Sequence, residues 1–236
     1  MEIRDAVVIV TGASSGIGEA TARILSAEGA RLVLAARNAE KLSELAAELP
    51  GSLAVPTDIM DSAAVANLVK RTVEHFGHVD ILLNNAGQGM RCPVESIRLD
   101  DLRYLLELNV VGQVDAMQQV IPQMRSQGGG MIINVSSMLS VVNMPKLAGY
   151  ACTKHALNNI SRTARQELES DNIRVCLFCP RMTATDFGQN TRGSDQYDSR
   201  AGAPGMSVES VETVAEAIVA QMRSEEAEVL RIPPAA

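Results

Sequence analysis

Along the chain, short runs of β-branched and aliphatic residues alternate with longer stretches in which apolar positions return every three or four residues. That alternation predicts repeated strand–helix units feeding a parallel sheet covered on both faces. The runs 6–10, 31–36, 53–55, 81–83, 131–135, 173–179 and 229–232 read as strands. Helical spacing fills 16–28, 39–49, 62–76, 99–108, 110–127, 149–170 and 208–223 between them. In the first of these, Ile17, Ala20, Ala22, Ile24 and Leu25 form an apolar stripe, and Gly29 supplies the stop. Pro50-Gly51 closes the second, while Asp61 caps the start of the third and Gly77 follows its end. The expected architecture is α/β: one Rossmann-type, doubly wound parallel sheet of about seven strands in a three-layer α/β/α domain over residues 1–236. No repeat or low-complexity segment interrupts it. A polar stretch rich in Gly, Ser, Thr and Asp over about 186–206 reads as a loop rather than a linker between domains.

Composition narrows the partners. A hydrophobic fraction of 46% suffices for a buried sheet, whereas 3% aromatic residues and no Trp leave no stacking surface for single-stranded nucleic acid. The net charge of -7, unbroken by any block of Lys or Arg, repels a phosphate backbone or an anionic membrane. An anionic small cofactor is a different matter, since a few backbone N–H groups and one or two Arg residues make a local positive pocket. Met1-Glu2-Ile3-Arg4-Asp5 runs into an apolar stretch too short for a signal peptide, and none reaches the roughly 18 residues of a membrane span. A cytoplasmic protein is expected. Cys92, Cys152, Cys176 and Cys179 are too few and scattered for a disulfide framework. Strand alternation sends Cys176 and Cys179 to opposite faces, and only His75, His78 and His155 are available beside them. These two read as reduced core thiols, and no metal site is expected.

Strand, then Thr11-Gly12-Ala13-Ser14-Ser15-Gly16-Ile17-Gly18, then helix gives a glycine-rich loop physical meaning. Gly12 permits the turn off the strand, Gly16 and Gly18 permit close approach to a pyrophosphate, and the helix start supplies unpaired N–H donors. The same residues satisfy Gly-x-Ser-x-Gly, the nucleophile elbow of serine hydrolases, with Ser14 as nucleophile. A hydrolase needs a His aligned with that Ser, normally late in the chain, and the last His is His155, within a predicted helix. At the end of the second strand stands Ala36-Arg37 rather than a carboxylate. Arg37 can fork onto the extra phosphate of NADP, and the missing acid removes a repulsion, which favours NADP(H) over NAD(H).

The loop resembles the Thr-Gly-x-x-x-Gly-x-Gly of the single-domain branch of the short-chain dehydrogenase/reductase family. Further matches follow in order: Asp58 after the third strand, Asn84-Asn85-Ala86-Gly87 after the fourth, and Asn109 within Leu108-Asn109-Val110. Ser136-Ser137 follows the fifth strand, and Tyr150-Ala151-Cys152-Thr153-Lys154 opens a long helix, with Ser137 thirteen positions before Tyr150. The resemblance implies cofactor contacts from Gly12, Ser14, Ser15, Gly16, Ile17 and Gly18, from Arg37, Asn38, Asp58 and Ile59, and from Asn85, Ala86 and Gly87. It adds Tyr150, Lys154, Pro180, Arg181, Thr183 and Thr185.

A ketone that accepts hydride builds negative charge on oxygen, so a group must hydrogen-bond that oxygen and deliver a proton. Tyr150 is the candidate acid, and an ammonium at Lys154, one helical turn away on the same face, favours its phenolate. Ser137 is the candidate for orienting the carbonyl. By resemblance, Lys154 also holds the nicotinamide ribose and Asn109 supports a water-linked proton path. One departure stands out: where the family has Pro-Gly-x-Val-x-Thr, this chain has Pro180-Arg181-Met182-Thr183-Ala184-Thr185. Arg181 there either narrows the site or recognises an anionic substrate. By resemblance, the small-molecule carbonyl or alcohol substrate is expected against Gln88, Gly89, Met90, Met138, residues 141–147, Met182 and the polar loop over about 186–206. The resemblance further implies a homodimer or homotetramer paired through helices 110–127 and 149–170. The rival from another class is an NADP(H)-binding sensor without turnover, whose mark would be loss of Tyr150 or Lys154; both are present.

Overall fold

The computed structural model of the chain describes residues 1–193 and 208–231. Seven strands, β1 (Val7–Thr11), β2 (Arg31–Ala36), β3 (Leu53–Pro56), β4 (Ile81–Asn84), β5 (Gly130–Val135), β6 (Ile173–Cys179) and β7 (Glu228–Leu230), form one sheet in the order β3-β2-β1-β4-β5-β6-β7. Every pairing is parallel, with Ile9 opposite Val33 and Leu82, for example. Parallel strands need crossovers, and the helices supply them: α1 (Gly16–Ala27), α2 (Ala39–Glu48), α3 (Ser62–Phe76), α4 (Leu99–Leu106), α5 (Gly112–Ser126), α6 (Ala148–Glu167) and α7 (Val211–Ser224).

Because side chains alternate along a strand, each strand feeds two cores. Val8, Val10, Leu32, Leu34, Ile81 and Leu83 face α1, α2 and α7, where they meet Leu25, Leu42 and Ile218. Ile9, Val33, Leu82, Ile132 and Val175 face the other way, onto Leu68 of α3, Val120 of α5 and Ala164 of α6. Cys176 belongs to the first core, and Cys179 lies on the opposite side near Ser140; both are buried and neither forms a disulfide. Local signals act as read: the Asp61 carboxylate accepts from Ala63 and Ala64 N–H at the start of α3, and Gly77 takes a left-handed φ of 87° at its end.

Several boundaries differ from the sequence reading, among them that of the helix expected over 208–223, which begins at Val211. The two helices expected over 99–108 and 110–127 are joined by a π-helical turn, Glu107–Val111, which places one extra residue in the spiral. The long helix ends at Glu167 and passes into a 3₁₀ turn, Glu169–Asp171, before an αL residue, Asn172. The polar loop over 186–206 opens with a 3₁₀ turn at Asp186–Asn190, but its greater part lies outside the described residues, as does Ile232 of the last expected strand. Among the described residues no helix is long and apolar enough to cross a membrane.

Candidate active site

The chain reverses its winding between β1 and β4, so the loops leaving their carboxyl ends part and leave a crevice. Thr11, the last residue of β1, ties the two loops: its hydroxyl donates to Leu83 O (3.3 Å) and accepts from the N–H groups of Asn85 (2.9 Å) and Ala86 (3.0 Å). Asn85 returns the link, its amide donating to Thr11 O at 2.9 Å. Gly12 turns off the strand at φ 67°, and Gly18 packs so tightly that a Cβ would lie 2.4 Å from Gly12 O. Ser15 starts α1 without a side-chain hydrogen bond to the first turn, which leaves helix N–H groups for an anion.

The crevice widens into a cleft of about 1200 Å³. Ser14, Ser15, Gly16 and Ile17 line one wall, Asn85, Ala86 and Gly87 the floor, and Ser137, Tyr150 and Lys154 the far side. Tyr150 and Lys154 sit on the buried stripe of α6, 8% and 3% exposed. The Lys154 ammonium lies 5.8 Å from the Tyr150 ring centre and donates to the Val135 carbonyl at 2.9 Å. Phe187 packs near Tyr150, ring centres 5.7 Å apart and tilted by 60°. Ser137 follows β5 in extended conformation, and its hydroxyl accepts from Leu139 N–H (3.1 Å), which sets the 3₁₀ turn Met138–Ser140.

Asn109 and Gly18 do not line the cleft; both stand behind its wall. Asn109 is fully buried in the π turn, and its amide pairs with both backbone groups of Gln88, accepting from N–H (3.0 Å) and donating to C=O (2.9 Å). It also donates to Thr153 Oγ1 at 3.1 Å. A Cβ built on Gly87 would sit 3.1 Å from Asn109 Oδ1 and 3.8 Å from Lys154 Nζ, so the two side chains converge on one point under the cleft floor.

Burial pushes Lys154 down to about 8, with the neighbouring Cys179 acting weakly against it. The charged form is therefore disfavoured in the fold but still present at neutral pH. The unfolded chain holds its proton up to about 10.5, so between about 8 and about 10.5 it binds more protons than the native state. Stability of the cofactor-free protein should therefore rise with pH across that window, by on the order of 3 kcal/mol at about 1.4 kcal/mol per pH unit. Urea titrations at several pH values test this; a Lys154→Met protein that shows the same slope would remove Lys154 as its source.

At the other end of the cleft, Arg37 is exposed and donates to the Tyr104 hydroxyl (3.3 Å), Asn38 caps α2 by accepting from Lys41 N–H, and the Asp58 carboxylate accepts from Met60 N–H (3.0 Å). Ile59 follows, buried in the wall. Lys41, which the sequence reading passed over, lines the cleft beside Arg37. An exposed Lys one turn into a helix carries no signal until the helix is docked.

Pro180, Arg181, Thr183 and Thr185 close the cleft from the β6 side. Arg181 turns its guanidinium onto Glu209 (3.3 Å), which also receives Arg231 at 2.6 Å. The backbone follows: Ala184 N–H donates to Glu209 O and Glu209 N–H to Met182 O, both at 2.9 Å. The Arg that replaces the expected Gly thus pins this segment to the chain ahead of α7. The substrate wall is corrected in part, since Gly89, Met90, Val141 and Asn143 do not line the cleft. Met90 is buried beneath the first turn of α6, where a Cβ on Gly149 would meet its sulfur at 2.3 Å, whereas Gln88, Met138, Leu147, Met182 and Phe187 line the cleft. None of His75, His78 and His155 lines the cleft with Ser14, and the His155 ring is occupied with the Ala151 carbonyl at 2.9 Å.

A family model described as short chain dehydrogenase matches residues 6–196. An uncharacterized oxidoreductase of Staphylococcus epidermidis is 32% identical over 199 residues, covering 81% of this chain and 86% of the relative. Dehydrogenase/reductase SDR family member 7B of Bos taurus is 35% identical over 203 residues, 82% of this chain and 62% of that protein. Among solved structures, 3-ketoacyl-(acyl-carrier-protein) reductase from Brucella melitensis, complexed with NADH, superposes with a TM-score of 0.87 at 27% identity, covering 97% and 95% of the two chains. Alcohol dehydrogenase from Thermococcus sibiricus, complexed with 5-hydroxy-NADP, superposes at 0.84 with 25% identity, covering 98% and 99%.

Proposed function

Because this chain belongs to the short-chain dehydrogenase/reductase family, and so is a nicotinamide-dependent oxidoreductase acting on CH–OH and C=O groups, we propose that it is an NADP(H)-dependent carbonyl reductase or alcohol dehydrogenase with Tyr150 as general acid/base. The observation that carries the reading is the placement of Tyr150 and Lys154 one turn apart on the inner stripe of α6, opening into the cleft that begins at the glycine-rich loop. The cleft residues fit the cofactor: an uncapped helix start for the pyrophosphate, a glycine cradle with no room for side chains, and the hydroxyls of Thr183 and Thr185 for the nicotinamide end. When bound, the nicotinamide supplies or accepts the hydride.

The chain's own residues do the rest. Ser137 donates a hydrogen bond from its hydroxyl to the substrate oxygen, keeps its own proton, and holds that oxygen beside Tyr150. Tyr150 transfers its proton to that oxygen as charge develops, or takes it in the reverse direction. The Lys154 ammonium stabilises the phenolate left behind. Asn109 keeps Gln88 and the cleft floor in register with α6 and lies where a water-linked path to Lys154 would pass.

Arg37 and Lys41, with no carboxylate at the end of β2, support NADP(H) over NAD(H). Purified protein mixed with NADPH or NADH and a panel of ketones, followed by the absorbance of reduced nicotinamide, tests both points. NADPH consumption with a preference over NADH is expected, and Arg37→Asp should reverse the preference by lowering kcat/KM for NADPH on the order of tenfold or more. An unchanged ratio would remove Arg37 from phosphate recognition.

A further inference from the structure

We propose that Asn158 is a positioning residue for Ser137, clamping the chain on both sides of that hydroxyl to the helix that carries Tyr150 and Lys154. Asn158 stands four residues beyond Lys154 and eight beyond Tyr150, on the same buried stripe of α6, and is 2% exposed. Its side-chain oxygen accepts from Ser136 Oγ at 2.5 Å, and its amide nitrogen donates to Ser140 Oγ at 2.7 Å. Ser140 Oγ in turn donates to the Ser137 carbonyl at 2.5 Å. One amide therefore grips the residue before Ser137 and the turn after it.

Backbone pairing does not require this arrangement. Ser136 N–H already donates to Phe178 O at 2.7 Å in the continuation of the β5–β6 pairing, and Ser140 N–H to Ser137 O at 2.9 Å within the turn. What Asn158 adds is a two-sided side-chain clamp between the 136–140 turn and α6, beside a longer contact from Ser136 Oγ to the Lys154 carbonyl at 3.5 Å and the packing of Leu139 near Tyr150. Burying an amide is unfavourable unless each polar atom is matched, and here both ends are matched by hydroxyls flanking one residue. A buried network satisfied in this way holds its members rigid. Ser137 and Tyr150 reach the cleft from different elements, and a carbonyl oxygen held between them requires those elements to keep a fixed separation; displacements near 1 Å cost roughly a hundredfold in rate.

The inference rests on the reading of Ser137 as the hydroxyl that orients the carbonyl, and the test separates the two. Asn158→Leu, of similar volume without hydrogen bonds, and Ser140→Ala are made in the parent and in a Ser137→Ala background, and NADPH-dependent ketone reduction is measured with melting temperature and NADPH affinity. Each single change should lower kcat by on the order of tenfold with NADPH affinity unchanged, and add little once Ser137 is gone. Equal losses in both backgrounds overturn the proposal, because the effect then reaches activity by some route other than Ser137. If Asn158→Leu fails to fold, Ser140→Ala decides: full activity overturns the proposal, and a loss confined to the Ser137 background supports it. A parent protein that reduces no ketone with either nicotinamide, or a fully active Ser137→Ala, defeats the underlying reading and the proposal with it.

Discussion

Tyr150→Phe should lower kcat for NADPH-dependent carbonyl reduction by a factor of roughly a hundred to ten thousand, with NADPH affinity and melting temperature close to the parent's. The change deletes one oxygen and keeps the ring, so the packing of position 150 against Phe187 and beside the Lys154 ammonium is retained. What disappears is the only group proposed to exchange a proton with the substrate oxygen. A Ser137 hydroxyl without the phenol can still orient a carbonyl, which sets the residual rate. Stopped-flow measurement of nicotinamide oxidation, alongside equilibrium titration with NADPH, separates chemistry from binding. A loss smaller than about fivefold in kcat would take the acid role away from Tyr150.

Gly18→Ala should weaken nicotinamide binding by about ten- to a hundredfold and lower the melting temperature, since overfilling a packed site costs about 1–3 kcal/mol. The new methyl carbon would lie 2.4 Å from Gly12 O and 2.6 Å from Asn85 Nδ2. Neither neighbour yields easily. Gly12 is fixed by its left-handed turn, and the Asn85 amide is held to Thr11 O. Relief therefore comes from moving the start of α1 away from the loop, the same helix start that would meet the pyrophosphate. Calorimetric titration of the variant with NADPH checks the expectation; parental affinity would mean that the loop and helix shift together at little cost.

The strands were legible because a two-sided parallel sheet writes itself as short unbroken apolar runs, and Ile9 and Val10 feed opposite cores from adjacent positions. The helix starts and stops at Asp61 and Gly77 were legible because capping is local chemistry. Most cofactor candidates line the cleft, but the glycine-rich turn between strand and helix had two readings in sequence, and only the fold shows that none of His75, His78 and His155 lines the cleft with Ser14. The π turn around Asn109 was not legible, because an extra residue per turn leaves no mark on apolar spacing over five residues. Nor was the tie between Arg181 and Glu209, which depends on the chain after the polar loop returning to pair with residues 182–184. Asn158 carried a readable hint, a polar residue on the inward stripe of α6, but its meaning came only from the hydroxyls that β5 and the following turn bring to it. Lys41 and Phe187 gave no hint, because each acquires its role from an element distant in sequence.

The Thr11 hydroxyl that binds Asn85 and Ala86 joins parts of the polypeptide more than seventy residues apart. A nascent chain that has left the ribosome only as far as β3 owns the glycine-rich turn but not the surface it must face. Such non-local closure is slow and comes late in assembly. Nucleotide capture is thereby reserved for molecules whose central strands have already joined, and the ligand, once captured, holds the finished architecture against local opening and proteolytic attack.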